Sequence, residues 1–598
     1  MTASLAHRGP DGSGLLERRQ AALGHRRLAI VDLSEQAGQP MVALGADVAI
    51  TYNGEVYNMA PLRRELEAAG HRFRSRSDTE VVLQGWRAWG PDLPRRLNGM
   101  WAFGIWDDAA GTLFLSRDYY GEKPLFYAPL PGGGLAFASE LRALLQHPQV
   151  DRELDPRSLA KYLAFDAFPG TCTPWRGVKK LRPGTSLSWK DGQVTLRTDW
   201  RRRYGGSRLS AGEASRQLWE LLRSAVERRL MSDVPLGVFL SGGIDSSAVL
   251  AAMCEVVEPA RIHTFSIGFA EKGYDESSDA ALVAEHFGVQ HRVQMLDGER
   301  LLGLLPEILD HMDEPLADHS LIPTYALCKF ARQHVTVALG GDGGDELFAG
   351  YDTFLAERVA RPWMRAPALL RRAVGGLVGL LPPSGADMSL QFRASRFVRG
   401  LDPDPLVRQQ RWFGSFLPEE AAALVPGAGS AADVYEDLLA IERPQGEQAG
   451  LELWTSTYLP DDVLTKVDRA SMAVSLEARA PLLDPELAAF AHSLPYHMKL
   501  HGLTRKWILK RALRGKLPGS VLRKRKQGFR PPSVDWLRGP LRAEVERLLE
   551  PQRLARGGVL DPQGAARIAR EHLTGEQDHR KQVWALYVLE RWRERWAR

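Results

Sequence analysis

Val234-Pro-Leu-Gly-Val-Phe-Leu-Ser-Gly-Gly-Ile-Asp-Ser-Ser-Ala248 is the stretch on which the reading of this 598-residue chain turns. An apolar run of strand length ends in Ser241-Gly242-Gly243, and helix signals begin near Asp245-Ser246-Ser247. Glycines let the backbone turn tightly and approach an anion, while exposed N–H groups and a helix N-terminus supply positive potential. The hydroxyls of Ser241, Ser246 and Ser247 add donors. The plainer alternative is a strand-to-helix turn with Asp245 as its N-cap. No G-x-x-x-x-G-K-[ST] segment occurs, so this is not a Walker A loop.

Outward from that loop, a second one repeats its design: Val337-Ala-Leu-Gly-Gly-Asp-Gly-Gly-Asp-Glu-Leu-Phe-Ala-Gly-Tyr351. From Ala211 onward, longer helices alternate with the buried strand-like runs Leu236–Leu240, Ile262–Ile267 and Val335–Leu339. That alternation predicts a parallel sheet with crossover helices, with ligands at the carboxyl ends of its strands. Residues 355–450 read as Arg-, Leu- and Pro-rich helix without nameable chemistry. Upstream, residues 1–195 read as β-rich, with strands predicted at Val48–Tyr52, Trp101–Trp106, Thr112–Ser116 and Leu135–Ala138. Helices are predicted at Pro61–Ala69 and Ser77–Trp86, and Arg201–Ser207 reads as a linker.

Composition narrows the class. With 44% hydrophobic and 25% charged residues the chain is an ordinary globular protein. Its net charge of +5 comes from 78 basic residues dispersed among 73 acidic ones. The densest basic run, Arg523–Lys526, reads as a solvated face or phosphate site, so no nucleic-acid partner is expected. Cys172, Cys254 and Cys328 form no CxxC pair and no disulfide framework, which suits a reducing compartment. The longest apolar stretch, Ala373–Leu381, is too short to span a bilayer, and the first residues lack a signal-peptide pattern. A cytoplasmic location is the expectation.

The Val234–Ala248 loop resembles the pyrophosphate loop of the ATP pyrophosphatases, in which ATP is cleaved between its α and β phosphates and a carboxylate becomes an acyl-adenylate. Leu464-Thr-Lys-Val-Asp-Arg-Ala-Ser-Met472, Leu476–Asp484, Gly502–Lys510 and Lys526–Pro532 are similar to asparagine synthetase signatures. The resemblance implies that Phe239, Ser241, Gly242, Gly243, Asp245, Ser246, Ile267, Gly340 and Gly341 bind ATP. It implies that Asp245 and Asp345 hold Mg²⁺ and that Lys506 stabilises transition-state charge. Asp342 stands where the best-known members carry a functional glutamate.

In the first part, His7–Gly12, Gly24–Asp32, Tyr52–Asn58, Ser77–Glu80, Arg117–Tyr127 and Phe137–Glu140 resemble the class II glutamine amidotransferase domain. The implied pocket has Arg27 on the glutamine carboxylate, Glu55 and Asp78 on its ammonium group, and Asn53 with the Gly54 N–H as oxyanion hole. Family members open Met-Cys-Gly, with a cysteine freed to act as nucleophile. Here the sequence opens Met1-Thr2-Ala3, shortly before His7, and Thr2 stands at the wrong place to replace that cysteine. The nitrogen donor implied is therefore ammonia for this chain, and glutamine for a form preceded by Met-Cys-Gly.

The fold implied is an α+β N-terminal nucleophile hydrolase-like sandwich over residues 1–195, lacking its N-terminal strand. An α/β parallel-sheet ATP-pyrophosphatase domain with a helical C-terminal part follows over residues 208–598. The partners are small molecules: aspartate or another carboxylate, with glutamine or ammonia. A homodimer is compatible with the family. Alternatives at this level are amidation of a carboxylate in a polysaccharide or natural-product pathway, intramolecular amide closure, and, from another class, tRNA modification.

Overall fold

A computed structural model describes residues 1–597 except 46, 271–274, 380–389, 443, 445 and 525–532. The Lys526–Pro532 signature and part of the Arg523–Lys526 run thus lie outside the described residues. Among the described residues no helix is long and apolar enough to cross a membrane.

The first domain is built on a six-stranded antiparallel sheet. Its central strands, Val48–Val56 and Gly99–Asp107, pair along nine residues. Trp101, Phe103 and Ile105 point into the core with Ile50 and Tyr52, as the period-two pattern requires. The helices Met59–Ala68 and Asp78–Trp89 pack through Leu62, Leu66 and Val81–Leu83 into that same core. Two smaller antiparallel sheets complete the domain. One is the hairpin of Gly12–Glu17 with Ala22–Arg27, the other joins Leu135–Ala138, Phe126–Pro129 and Lys179–Lys180.

The predicted strands of this domain are present, several extended by a few residues. The pattern of alternation did not reveal Gly12–Glu17, Ala22–Arg27, Phe126–Pro129, Thr185–Lys190 or Gln193–Thr198. The last of these is mostly exposed, so burial imprints little signal on it.

The second domain holds a five-stranded parallel sheet in the order Gln290–Leu296, His263–Phe269, Leu236–Phe239, Val337–Leu339, Glu477–Arg479. The three predicted strands form its centre. Both edge strands escape the pattern: Gln290–Leu296 is largely polar, and Glu477–Arg479 is three residues long with two charged side chains. Residues after 351 are chiefly helical. The predicted linker is not loose. Arg202 is held by Glu452 through contacts of 2.6–3.1 Å, Tyr204 donates to the same carboxylate at 2.7 Å, and the Gly205 N–H donates to His492 O.

Candidate active sites and the wall between them

The strand Leu236–Phe239 runs on through Leu240, whose N–H donates to Phe265 O at 2.9 Å. The chain then turns at Gly242, which has φ +67° and would place a Cβ 2.6 Å from Ala280 N. Only glycine fits there. Helix Ile244–Met253 follows, so Ser241–Ser246 sit at a strand end and a helix N-terminus together. The Ser241 and Ser246 hydroxyls lie 3.1 Å apart, and the Ser241 N–H donates to Ser246 Oγ at 3.2 Å. The Ser247 hydroxyl is buried without a partner.

The second glycine loop packs directly on the first. A Cβ at Gly341 would fall 2.8 Å from Ser246 N, so the two backbones approach closely. Gly340 donates to Arg479 O at 2.8 Å, which carries the sheet's pairing into the loop. The loops bring Asp245 and Asp345 onto a single cation: Lys506 Nζ lies 2.6 Å from Asp345 Oδ1 and pairs with Asp245 Oδ2. Burial alone would push this ammonium down, but the two aspartates outweigh it and hold it well above the ordinary lysine range. Sequence pattern suggests an exposed helical lysine. Instead Lys506 is buried, precedes helix Trp507–Ala512, and adopts the left-handed conformation with φ +53°. A non-glycine residue held there stores about 1–3 kcal/mol of strain, as functional residues often do.

Two carboxylates converging on one cation form a hard-oxygen donor pair of the kind Mg²⁺ accepts when phosphate oxygens and water complete its shell. The residues therefore fit the ion that ATP carries. Phe239, Ile267, Gly340 and Gly341 lie at or just beyond the carboxyl ends of three adjacent strands. Asp342 is pushed up by burial and by Asp245 and Asp345, with Lys466 opposing.

In the first domain, Arg27, Asn53, Gly54, Glu55 and Asp78 line one cavity of about 700 Å³ between the large sheet and the two smaller ones. Asn53 Nδ2 is buried there with no hydrogen-bond partner. At Gly54 any Cβ would run into Met100 O, so the N–H beside Asn53 depends on glycine. Asp78 opens its helix and accepts from Tyr52 Oη at 2.6 Å and Val56 N at 2.9 Å. Burial still leaves its carboxyl above the ordinary range. Arg27 donates to the carbonyls of Ser34, at 3.0 Å, and Asp32. Met1, Thr2 and Ala3 also line this cavity, whereas Cys172, Cys254 and Cys328 do not.

Glu55 lines the cavity and also reaches out of the first domain. One of its oxygens lies 3.1 Å from Arg479 Nη2, a residue of the second domain. Burial and Asp78 push the Glu55 carboxyl well up against that guanidinium.

The family model described as asparagine synthase matches residues 217–594, more than half the chain, and that of the glutamine amidotransferase domain matches residues 1–201. The chain belongs to the asparagine synthase family. It is 31% identical to "Asparagine synthetase [glutamine-hydrolyzing] 1" of Bacillus subtilis over 99% of this chain and 92% of that one. It is 33% identical to a "Putative asparagine synthetase [glutamine-hydrolyzing]" of Mycobacterium tuberculosis over 98% of this chain and 92% of that one. A fungal relative, "Amidase chry2" of Gibberella zeae, is 26% identical over 93% of this chain and 88% of its own.

Between the amidotransferase and synthetase domains runs a buried ionic junction that no single sequence segment announces. Arg8 forks onto Asp468 with two bonds of 2.8 Å and reaches Glu140 at 2.9 Å. Arg469 spans Glu140 and Asp313, each at 3.0 Å. The family signatures containing Arg8, Glu140, Asp468 and Arg469 thus interlock with one another. Arg479 joins Glu477, at 2.8 Å, and Glu55, and donates to the carbonyls of Arg229 and Met231 at 2.7 Å. Glu477 lines the amidotransferase cavity, while Ala478 and Arg479 line a void of about 20 Å³ that Asp342 also borders. One three-residue strand is the wall shared by both sites.

Proposed function

We propose that this chain forms an amide from aspartate by adenylating the side-chain carboxylate with ATP, with ammonia, supplied free or drawn from glutamine, as the attacking nitrogen. The observation that carries this reading is the convergence of two glycine loops on Asp245, Asp345 and Lys506, with Asp342 alongside. In the first step an acceptor oxygen attacks the α-phosphorus and pyrophosphate departs. The loop N–H groups and Lys506 stabilise the charge that accumulates on the phosphates. Mg²⁺ held by Asp245 and Asp345 would neutralise the leaving pyrophosphate. In the second step ammonia attacks the acyl carbon and AMP leaves. Asp342, whose carboxyl is pushed up by burial, is the group positioned to take the proton that ammonia sheds.

A small void beside Ala478 and Arg479 borders Asp342. For glutamine to serve as donor, a thiol must reach Asn53. Strands Ala22–Arg27 and Leu135–Ala138 each have one edge outside the described pairings, and both edges face the cavity. A different acceptor carboxylate is the second reading, favoured by aspartate rather than glutamate at position 342.

The test is product analysis with aspartate, ammonium, ATP and Mg²⁺. AMP and pyrophosphate are expected in equal amounts with asparagine. ADP and phosphate would overturn the adenylation step.

A further inference from the structure

Beyond the phosphate end of the synthetase site, the chain from Trp454 to Val463 forms a ten-residue π-helix with Pro460 inside it. Such segments are rare, cost hydrogen-bond geometry, and cluster at functional sites. This one ends in Asp461-Asp462. Asp461 is tied down: it accepts from the Gly170 N–H at 2.8 Å. Asp462 is not. It is 2% exposed, it shares a hydrogen bond with Asp318, and among the described residues its Oδ1 has no hydrogen-bond partner.

The surroundings carry an excess of acid. Lys466 Nζ donates to Asp318 Oδ2 at 2.6 Å and to Ser320 Oγ at 2.8 Å, and it is also faced by Asp462 and Asp342. Asp166, which faces Asp462 as well, is already answered by Lys581 at 3.0 Å. Lys466 is the cation hydrogen-bonded inside the group of Asp318, Asp342 and Asp462, while Lys581, bound to Asp166, reaches Asp462 through its charge. Burial and Asp318 push the Asp462 carboxyl well up, so a proton occupies the place of a missing cation. A buried carboxyl oxygen without a donor is an expensive arrangement unless a ligand supplies one.

We propose that Asp462, backed by Asp318, is the seat of the α-ammonium group of the acceptor, so that the synthetase domain selects amino acids over simple carboxylates. The ammonium takes the place of the proton shared by the two aspartates and donates to the open oxygen. The acceptor's other end then points toward Asp342, where Lys466 links the two parts of the basin. Asp462 is a specificity-determining residue for the reaction proposed above, and the inference rests on that reading.

The experiment is ATP–pyrophosphate exchange on the full chain with L-aspartate, succinate and N-acetyl-L-aspartate. Succinate differs from aspartate by the amine alone, and the acetyl group removes its charge. Aspartate is expected to exceed both in kcat/KM by roughly 10- to 100-fold, the worth of one hydrogen bond to a charged group. Asp462→Asn is expected to raise KM for aspartate by a similar factor while KM for ATP holds, and to erase the preference over succinate. An unchanged aspartate KM in that variant, or succinate as good as aspartate in the unaltered chain, would overturn the assignment alone. Exchange with no carboxylate at all would overturn the adenylation reading together with it. The analogue series on the unaltered chain needs no variant to fold.

Discussion

At the phosphate end of the synthetase domain Asp245 and Asp345 are already answered by Lys506, whereas in the amidotransferase cavity Asn53 Nδ2 waits without an acceptor. The difference follows from what each site must hold. Two carboxylates buried side by side cannot stand unpaired, because desolvating each costs several kcal/mol. A neutral amide costs about 1–3 kcal/mol when left unsatisfied, which a fold can tolerate. The synthetase site therefore keeps its own lysine between the two carboxylates, and ligands must trade against it. The amidotransferase cavity sets the neutral donors Asn53 and Gly54 beside Arg27, and the carboxyls of Glu55 and Asp78 are both pushed up by burial.

The comparison breaks most severely at the junction separating the two. Arg8→Ala leaves Asp468 and Glu140 buried without their shared guanidinium and should cost about 3–5 kcal/mol of stability. Denaturant titration reads this directly; a loss under 1 kcal/mol would show the junction to be ornamental. Next comes Lys506→Ala, which removes the internal cation along with a transition-state contact. Its rate of pyrophosphate release should fall by roughly 10²–10³, about 2.7–4 kcal/mol, with unchanged unfolding. Turnover near that of the unaltered chain would detach Lys506 from the chemistry.

A smaller effect tests the boundary electrostatically. Glu122 borders the void beside Asp342, and burial, then Asp118, push its carboxyl up to about 8. A folded-state value raised above the unfolded one means that stability present at pH 4–5 is lost as pH rises toward 8. The slope is at most about 1.4 kcal/mol per pH unit. Glu122→Gln should flatten that part of the stability profile; identical slopes at pH 5, 6.5 and 8 would refute it. The smallest expected effect is none. Asn53→Ala should leave ammonia-dependent synthesis unchanged, because that donor bypasses the cavity.

Both glycine loops and the central strands could be read from sequence because local rules dictate them. Glycines at Gly242 and Gly341 mark backbone contacts that admit no side chain, and apolar runs mark strands buried on both faces. The candidate glutamine residues were legible as a set through resemblance, and they do line one cavity. What escaped is long-range. Nothing near Glu55 in the chain announces Arg479, which lies 424 residues away. Nothing in Trp454–Val463 suggests a π-helix, since its pattern is that of an ordinary buried helix. Lys506 stood out through its motif, but its burial and left-handed backbone did not, because periodicity carries no record of either. Charged residues buried by pairing with distant partners are invisible to a hydrophobic pattern, and this molecule places them where its domains meet.

The strand Glu477–Arg479 has a consequence for how the protein can be divided. It belongs by sequence and sheet order to the synthetase domain, yet one of its side chains finishes the neighbouring cavity. Cutting the chain in the Arg201–Ser207 segment would leave an amidotransferase half without Glu477 or Met472 in its cavity wall and with Glu55 deprived of Arg479. The other half would keep Arg479 but expose Asp468 and Arg469 to water. Two genes encoding these halves would have to yield products that reassemble before either pocket regained its shape.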